Sequence, residues 1–476
     1  ARAALPREPP LWRGGRGGWL WMRSSLVPDM ARRAMLRLLL PLLWGPYGAR
    51  AWSVLVLGGT GFRGHLTTER LVREGHNVTV LSRGSNYWNI FEELHGRIAH
   101  WKCNRTLARD YGGAPQPETS GLRQCHPLKE FEGGFDAVVD FSSKDVDELR
   151  QAAQVLRGRV GVYVFISSHA VYEVSKNSSH DEQLLLESDA VRPGREMSPL
   201  ERFQLKGKSE RGDAALECEE ELMKQYNAGG FPFVALRSAN VLGPKENTIR
   251  YWLLHLWVRA HIALTLPLHL DENLLQTPIS MTYTPDVAQA VVRVIAKSRN
   301  EVCCPEHVHG EAFNLACEEA PNQRNLYNHV AEPIGMPYVE TIEKESNKSI
   351  VLYPDIIRGP VSVAKALDVL RWSPTDFSKA ARSVARFYDR VMLDERKYKK
   401  ERDIMYAKCR KMLGPDGQRF VEWIRAYYAE RRKTELYDEL DDEDEDELVM
   451  ARPNPERKKR GERKRRRRRK GEKADL

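Results

Sequence analysis

Residues 53–83, SVLVLGGTGFRGHLTTERLVREGHNVTVLSR, constrain the fold more than any other part of this 476-residue chain. The apolar run Ser53–Leu57 ends at a glycine, as a buried parallel strand would. The glycine-rich turn 58–64 leads into a helix that closes at Gly75, and a second strand begins at Asn77. This order of strand, turn, helix and strand within about thirty residues predicts a dinucleotide-binding unit. The alternative is a turn with a purely structural role.

Each residue of the turn has a predicted part in holding a dinucleotide. Gly58 supplies backbone freedom, Gly61 lets a pyrophosphate approach bare backbone, and Gly64 allows the helix to pack closely on the sheet. The free amides at the start of the helix would then face the phosphates. Thr60 and Phe62, which stand between these glycines, complete the predicted cofactor-binding turn.

The end of the second strand bears on the choice between NAD and NADP. Sites that prefer NAD usually place an acid there, where it binds both ribose hydroxyls. This chain instead has Ser82 and Arg83, which could hold a 2′-phosphate and so favour NADP. A solvated surface arginine is the alternative, and NAD therefore stays open. Asp140, in the predicted strand FDAVVDF (135–141), is a further candidate cofactor contact.

The following segments alternate between predicted strands and predicted helices. FDAVVDF and GVYVFISS (161–168) have the composition of buried strands, while 145–157 and 213–226 have that of helices. A polar insertion, 102–130, precedes the first of these strands. The alternation predicts the α/β class, with a doubly wound parallel sheet, or Rossmann fold.

Six motifs follow one another in a recognisable order. They are GGTGFRG (58–64), FISSHAVY (165–172), LRSANVLGP (236–244), MTYTPDVAQAV (281–291), HGEAFNLA (309–316) and LRWSP (370–374). On these motifs, which span about residues 52–390, the chain resembles the extended short-chain dehydrogenase/reductase superfamily of NAD-dependent epimerase/dehydratase proteins. The resemblance implies an NAD(P)-binding domain, a smaller C-terminal substrate-binding region (mainly 240–375), a polar small-molecule substrate such as a nucleotide-sugar, and possible homodimers.

The same resemblance locates the catalytic residues, and here the chain departs from the family pattern. The family mechanism uses a serine or threonine together with a tyrosine and a lysine four residues later, whose ammonium lowers the phenol pKa. Ser168 occupies the serine position. Tyr172 and Lys176 also form a YxxxK spacing, but they belong to the loop after the strand. On the helix expected to carry the pair, Arg211 stands in place of tyrosine and Ala215 in place of lysine.

These substitutions lead to a primary hypothesis and two alternatives. The first is an NAD(P)-binding protein with altered or lost tyrosine–lysine chemistry. The second is an active epimerase, dehydratase or reductase that uses Ser168 with Tyr172 or another acid/base. The third is a nucleic-acid-binding protein, because some chloroplast stem-loop RNA-binding proteins share this fold. No metal site is predicted, since none of the seven cysteines has a CxxC spacing.

Positive charge is concentrated at the two ends of the chain. The formal net charge is +9, but residues 451–476 carry 14 Lys/Arg against 4 Asp/Glu, and 1–51 carry nine arginines against two acids. An acidic run, 438–447, precedes the basic tail. The remaining body is close to neutral, which weighs against a broad nucleic-acid-binding groove. The basic tail could contact acidic partners or direct nuclear import.

The ends also suggest a cellular address. Residues 1–29 have the composition of a leader, and 30–51 combine a basic start, an apolar core and a small-x-small end, as in a secretory signal peptide; a mitochondrial presequence is the alternative. The terminal KADL is similar to an endoplasmic-reticulum retrieval signal. We therefore expect a luminal protein with no membrane span in the mature chain. Residues 391–437 are predicted to be a helical extension and 438–476 a disordered tail.

A luminal address gives two covalent expectations. Cys103 and Cys125 could join the two arms of the polar insertion. Four N-glycosylation sequons are present, at Asn77, Asn104, Asn177 and Asn347. Of these, Asn77 is expected to be inaccessible because it begins a buried strand.

Overall fold

The computed structural model describes residues 51–434. Within that range it leaves out residues 86, 111, 176–183, 194–197, 199, 202–203, 205–208, 299–307, 337, 346–349, 351 and 354–358. The predictions for the leader, the signal-peptide-like segment and the charged tail lie outside the described residues. So do Lys176 and the sequons at Asn177 and Asn347.

Seven strands of the described chain form one parallel sheet, which confirms the predicted α/β class. The strand order is β10-β6-β5-β4-β1-β2-β3. The strands are β1 (Ser53–Leu57), β2 (Asn77–Ser82), β3 (Ala99–Lys102), β4 (Phe135–Asp140), β5 (Val160–Ser168), β6 (Phe233–Ser238) and β10 (Glu311–Leu315). The chain reverses direction across the sheet between β3 and β4, so β1 and β4 are neighbours without being consecutive.

Helices cover both faces of this sheet, because its central strands are apolar on both sides. Helices α1 (His65–Arg73) and α7 (Thr284–Ser298) pack against each other on one face. Helices α4 (Val146–Val155) and α5 (Glu210–Asn227) pack on the other. Shorter helices, α2 (Ile90–Leu94) and α3 (His126–Glu130), lie in the connections around β3. The result is the doubly wound sheet that the alternating sequence predicts.

A second region contains two small parallel sheets and several helices. Strand β7 (Asn240–Leu242) pairs with β9 (Met281–Tyr283), and β8 (Leu268–Asp271) pairs with β11 (Thr341–Lys344). The helices of this region are α6 (Arg250–Leu264), α8 (Gln323–Ala331), α10 (Phe377–Leu393), α11 (Lys399–Met412) and α12 (Asp416–Thr434), whereas α9 (Ala364–Val369) packs on the main sheet beside β10. Helix α6 is buried on almost every side, so it forms the centre of this region rather than its surface.

The predicted helical extension consists of α11 and α12, which share one hydrophobic core with α6 and α10. Residues 413–415 separate α11 from α12, and Gly414 has φ +57°. Asp389 on α10 joins these helices by accepting hydrogen bonds from Tyr428 (2.5 Å) and Arg259 (2.5 Å). The extension therefore completes the core of the second region.

The polar insertion is held to the sheet by a disulfide between Cys103 and Cys125, whose Cα atoms are 5.4 Å apart. The structure thus joins the two arms as expected. Asn104, next to this disulfide, is exposed. Asn77 is exposed too, and the prediction that it would be inaccessible is wrong: its backbone pairs with β1 at the first position of β2, but its side chain faces solvent.

No described helix is both long enough and apolar enough to cross a membrane.

Candidate functional site

The glycine turn between β1 and α1 lies at the carboxyl edge of the parallel sheet. Gly58 has φ +81°, which L-residues with side chains rarely adopt. A Cβ on Gly64 would come within 2.6 Å of the Gly58 carbonyl oxygen, so this glycine is required by packing. A Cβ on Gly61 would lie 3.3 Å from the same oxygen, the one atom within 4 Å. The fold therefore requires a glycine less strictly at position 61 than at position 64. A ligand that approaches the backbone there would explain the glycine at 61.

Side chains of α1 hold the turn in place. The Thr68 hydroxyl lies 3.0 Å from the Gly59 and Gly64 carbonyl oxygens. His65 Nδ1 lies 2.9 Å from the Phe62 carbonyl oxygen and 3.3 Å from that of Gly61. Because both partners are acceptors, Nδ1 carries the proton and donates. Burial, and then the charge of Lys245, lowers the His65 pKa to about 3, so this ring is neutral at neutral pH.

Of the other predicted residues in the turn, Thr60 is buried and Phe62 is half-buried. At the end of β2, Ser82 Oγ lies 2.9 Å from His100 Nε2 on β3 and accepts a hydrogen bond from the Gly84 amide (3.3 Å). Arg83 is exposed. The two polar side chains predicted to choose the cofactor therefore lie beside each other at the same edge as the turn.

Asp140 ends β4 next to the turn, but its carboxylate is engaged within the protein. Its Oδ1 forms an ion pair with Arg105 Nη1 at 2.7 Å. Its Oδ2 accepts hydrogen bonds from the hydroxyls of Tyr163 (2.6 Å) and Ser143 (2.5 Å). Burial alone would raise the Asp140 pKa, but Arg105 and the hydrogen bonds outweigh it, and the pKa is lowered. Asp140 thus binds the polar insertion to the sheet edge, a role that differs from the predicted direct contact with a cofactor.

Ser168 ends β5 and is almost fully buried, with its hydroxyl accepting from the Ala170 amide (3.2 Å). Tyr172 is 1% exposed. Its hydroxyl donates to Asn314 Oδ1 (2.8 Å) and accepts from Arg237 Nη1 (3.2 Å). Burial raises the Tyr172 pKa, in spite of the opposing charge of Arg237. These contacts give Tyr172 a structural role, while its part as an acid/base alongside Ser168 stays a prediction.

Arg237 and its partner Glu219 are site residues that the sequence does not reveal. Arg237 on β6 makes a bidentate ion pair with Glu219 on α5, at 2.6 Å from Nη2 and 3.1 Å from Nε. Glu219 also accepts from Ser167 Oγ (2.5 Å). This pair binds the ends of β5 and β6 to α5. No spacing in the sequence indicates this contact, because the two residues are 18 positions apart and lie on different elements.

Helix α5 begins three residues earlier than predicted, because the Ser209 hydroxyl caps it by accepting from the Gly212 amide (3.0 Å). Arg211 is consequently in its first turn and Ala215 in its second. A Cβ on Gly212 would come within 2.1 Å of the Ala170 carbonyl oxygen, so this end of the helix packs directly on the loop that follows Ser168. Arg211 and Ala215 therefore lie on the helix that approaches the Ser168 loop, where the resemblance places the tyrosine and lysine.

This architecture recurs in solved enzyme structures. A dTDP-glucose 4,6-dehydratase from Bacillus anthracis, in complex with NAD, matches 74% of this chain and 99% of its own, with a TM-score of 0.53 and 15% identity. A UDP-glucose 4-epimerase from Thermotoga maritima, with UDP-glucose, matches 71% of this chain and 99% of its own, with a TM-score of 0.51 and 17% identity.

The chain has the fold of the NAD-dependent epimerases and dehydratases. At the level of fold, the resemblance seen in the sequence motifs is thus confirmed. Among curated proteins, chloroplast stem-loop binding protein of 41 kDa b from Arabidopsis thaliana is 25% identical over 338 residues, which cover 68% of this chain and 75% of that protein. No protein-family model matches the chain.

Proposed function

We propose that this epimerase/dehydratase-like chain binds a nicotinamide dinucleotide at the glycine turn, and that it has lost or altered the tyrosine–lysine chemistry of the enzymes with its fold. The proposal rests on one observation: the glycine turn is intact, whereas α5 carries Arg211 and Ala215 at the positions of the tyrosine and the lysine. Arg211 remains charged and is a poor proton shuttle, while Ala215 has no charge with which to lower a phenol pKa.

The cofactor part of the proposal rests on the shape of the turn and on its relatives. Gly61 leaves the backbone bare where a pyrophosphate would approach, and the Phe62 and Gly61 carbonyls are turned toward His65. The Bacillus anthracis dehydratase was solved in complex with NAD. In this chain Ser82 and Arg83 favour a 2′-phosphate and thus NADP. A bound dinucleotide would supply a hydride acceptor or donor, and the chain would position it.

Gly61→Val provides a sharp test because its effect on folding is expected to be small. We expect the full-length variant to melt near the wild-type temperature and to lose binding of NAD and NADP, since the added side chain occupies the pyrophosphate approach. Calorimetric titration with both cofactors, with thermal melting alongside, measures this. Gly112→Val in the exposed insertion is the matched control. Wild-type protein that binds neither cofactor would contradict the proposal.

Nucleic-acid binding remains a second candidate because the Arabidopsis relative is named for stem-loop binding. The near-neutral body argues that any such binding depends on the basic tail. Fluorescence anisotropy with an RNA stem-loop, on the full chain and on a chain ending at residue 437, distinguishes binding by the body from binding by the basic tail. Tight binding that survives the truncation would favour this candidate over ours.

We also propose that the protein resides in the lumen of the endoplasmic reticulum. The disulfide between Cys103 and Cys125 and the exposed sequons at Asn77 and Asn104 support this address. A luminal protein would present the basic tail to soluble or membrane-bound acidic partners rather than to the nuclear import machinery. A small polar substrate, such as a nucleotide-sugar, is compatible with this luminal address.

A further inference from the structure

Two arginines without carboxylate partners lie at the carboxyl edge of the sheet. Arg63 follows Phe62 in the glycine turn, and its Nη2 is 3.4 Å from the Phe141 carbonyl oxygen, just beyond β4. Arg211 lies in the first turn of α5, which packs on the Ser168 loop beyond β5. Ligands of open parallel sheets bind in the crevice outside these strand ends. The two side chains thus belong to the crevice where a dinucleotide and its substrate would meet.

A third arginine is coupled to both through its charge. Arg250 begins α6, and its Nη2 donates to the Val241 carbonyl oxygen (3.0 Å) at β7. Desolvation, and then repulsion from Arg211, lowers the Arg63 pKa to about 10; the charge of Asp140 opposes this shift and that of Arg250 adds to it. Although Arg211 as a whole is exposed, desolvation of its guanidinium and then repulsion from Arg250 lower its pKa as well. Three elements therefore bring like charges together.

Four carboxylates of this neighbourhood are paired with other cations. Asp140 pairs with Arg105, Glu246 with Arg250 (2.7 Å), Asp213 with Arg192 (2.6 Å), and Glu93 with Lys245. Within the described chain, neither Arg63 nor Arg211 has an ion pair of its own. Mutual repulsion costs stability, and an anion between the two would remove that cost. A planar guanidinium matches a phosphate group particularly well, with two parallel hydrogen bonds.

We propose that Arg63 and Arg211 together bind a phosphate group of the ligand, so that Arg211 turns the position of the family's acid/base tyrosine into an anion-binding position. This inference rests on the proposed dinucleotide site, which it deepens by specifying a phosphate at that position. The phosphate belongs either to the dinucleotide itself or to a phosphorylated second ligand. In both cases the residue that elsewhere moves a proton serves here to bind charge.

The variants Arg63→Gln and Arg211→Gln test the proposal in the full-length protein. Calorimetric titrations use inorganic pyrophosphate, NAD, and pyrophosphate in the presence of saturating NAD. Each variant should weaken pyrophosphate binding about tenfold or more, the usual loss for one charge-assisted hydrogen bond. Arg211→Lys should retain part of the affinity. Arg70→Gln, a surface arginine paired with Glu74, is the control and should bind as the wild type does.

The pattern across ligands identifies the source of the phosphate. A parallel loss of NAD affinity in both variants assigns the phosphate to the dinucleotide. Unchanged NAD affinity, with weakened binding of pyrophosphate to the NAD-saturated protein, assigns it to a second ligand. Pyrophosphate affinity that is the same in wild type and both variants overturns the inference, even if NAD binds. Wild-type protein that binds pyrophosphate but no dinucleotide would instead overturn the proposed function and leave the arginine pair in place.

Stability of the unliganded protein separates binding from a structural role. If Arg63 and Arg211 repel each other, Arg211→Gln should melt at or above the wild-type temperature without ligand. It should also show a smaller upward shift than wild type when pyrophosphate is added. A variant that melts several degrees lower without ligand would show that Arg211 holds the fold together, and this result would overturn the inference.

Discussion

At the scale of single residues, Tyr172 and Arg211 decide whether familiar chemistry is possible. Tyr172→Phe removes a buried hydroxyl that contacts Asn314 and Arg237, so we expect a stability loss of about 1–3 kcal/mol and almost unchanged turnover. Arg211→Tyr combined with Ala215→Lys should raise any measurable NAD(P)-dependent turnover, if the rest of the site is intact. Kinetics of both variants, with urea unfolding alongside, test this. A large loss of turnover in a folded Tyr172→Phe would establish the active-enzyme alternative.

Asp286 at the start of α7 gives a prediction about pH. Burial raises its pKa to about 6, even though Thr375 donates from its amide (2.8 Å) and its hydroxyl (2.7 Å). The folded state therefore holds this proton more tightly than the unfolded state, and stability should fall as pH rises from about 4 to about 6 and then level off. The slope in this window is at most about 1.4 kcal/mol per pH unit. Asp286→Asn should lack this component, as urea unfolding at several pH values would show; parallel curves would contradict it.

Sequence reasoning reached the local features of these residues but not their partners. The glycine turn and the substitution of Arg211 for tyrosine can be recognised in the sequence, because each depends on a short motif in a known position. The burial of Tyr172 depends on Arg237, 65 positions away, and on Asn314, 142 positions away. The convergence of Arg63 with Arg211 depends likewise on how α5 packs on the sheet. Such contacts are fixed by tertiary packing, which a single sequence does not display.

At the scale of elements, the polar insertion is the feature that composition describes least well. Its composition predicts a loop, yet two contacts fix it to the rest of the domain. Arg105 forms an ion pair with Asp140 at the sheet edge, and Gln151 on α4 accepts a hydrogen bond from the Leu122 amide (2.6 Å). The parallel strands and most helices were predictable from apolar runs and glycine boundaries. The prediction for Asn77 was wrong because the first residue of a buried strand can pair within the sheet and still expose its side chain.

The disulfide should make this element sensitive to reduction. It closes a loop with a sequence separation of 22, for which the chain-entropy model gives about 3 kcal/mol. We expect a reductant to lower the melting temperature of the wild type. The double variant Cys103→Ser with Cys125→Ser should melt lower from the start and should not respond to reductant. Equal melting of wild type and variant under oxidising conditions would show that Arg105 and Gln151 suffice to hold the insertion.

At the scale of the whole molecule, the second region and the sheet depend on one another through the crevice. Strand β7 follows β6 after one residue, and Arg250 of α6 reaches back to β7, so ligand groups bound by both regions would couple them. The C-terminal helices stabilise this arrangement: α11 buries Met405, and α12 buries Phe420 and Ile424, in the core around α6. A phosphate bound at Arg63 and Arg211 would lie in this crevice, beside helix α5, which carries Arg211 and Ala215 in place of the tyrosine–lysine pair.

The last prediction concerns the address of the whole chain. Asn77 and Asn104 are exposed in sequons, so a luminal chain should carry glycans at these positions. Treatment of the cell-expressed protein with a glycosidase should increase its mobility, and Asn77→Gln and Asn104→Gln should each remove part of that shift. Asn325→Gln, an exposed asparagine outside any sequon, should leave it unchanged. A protein without a shift that accumulates in nuclei would show instead that the basic run 457–470 directs import, and the luminal proposal would fall.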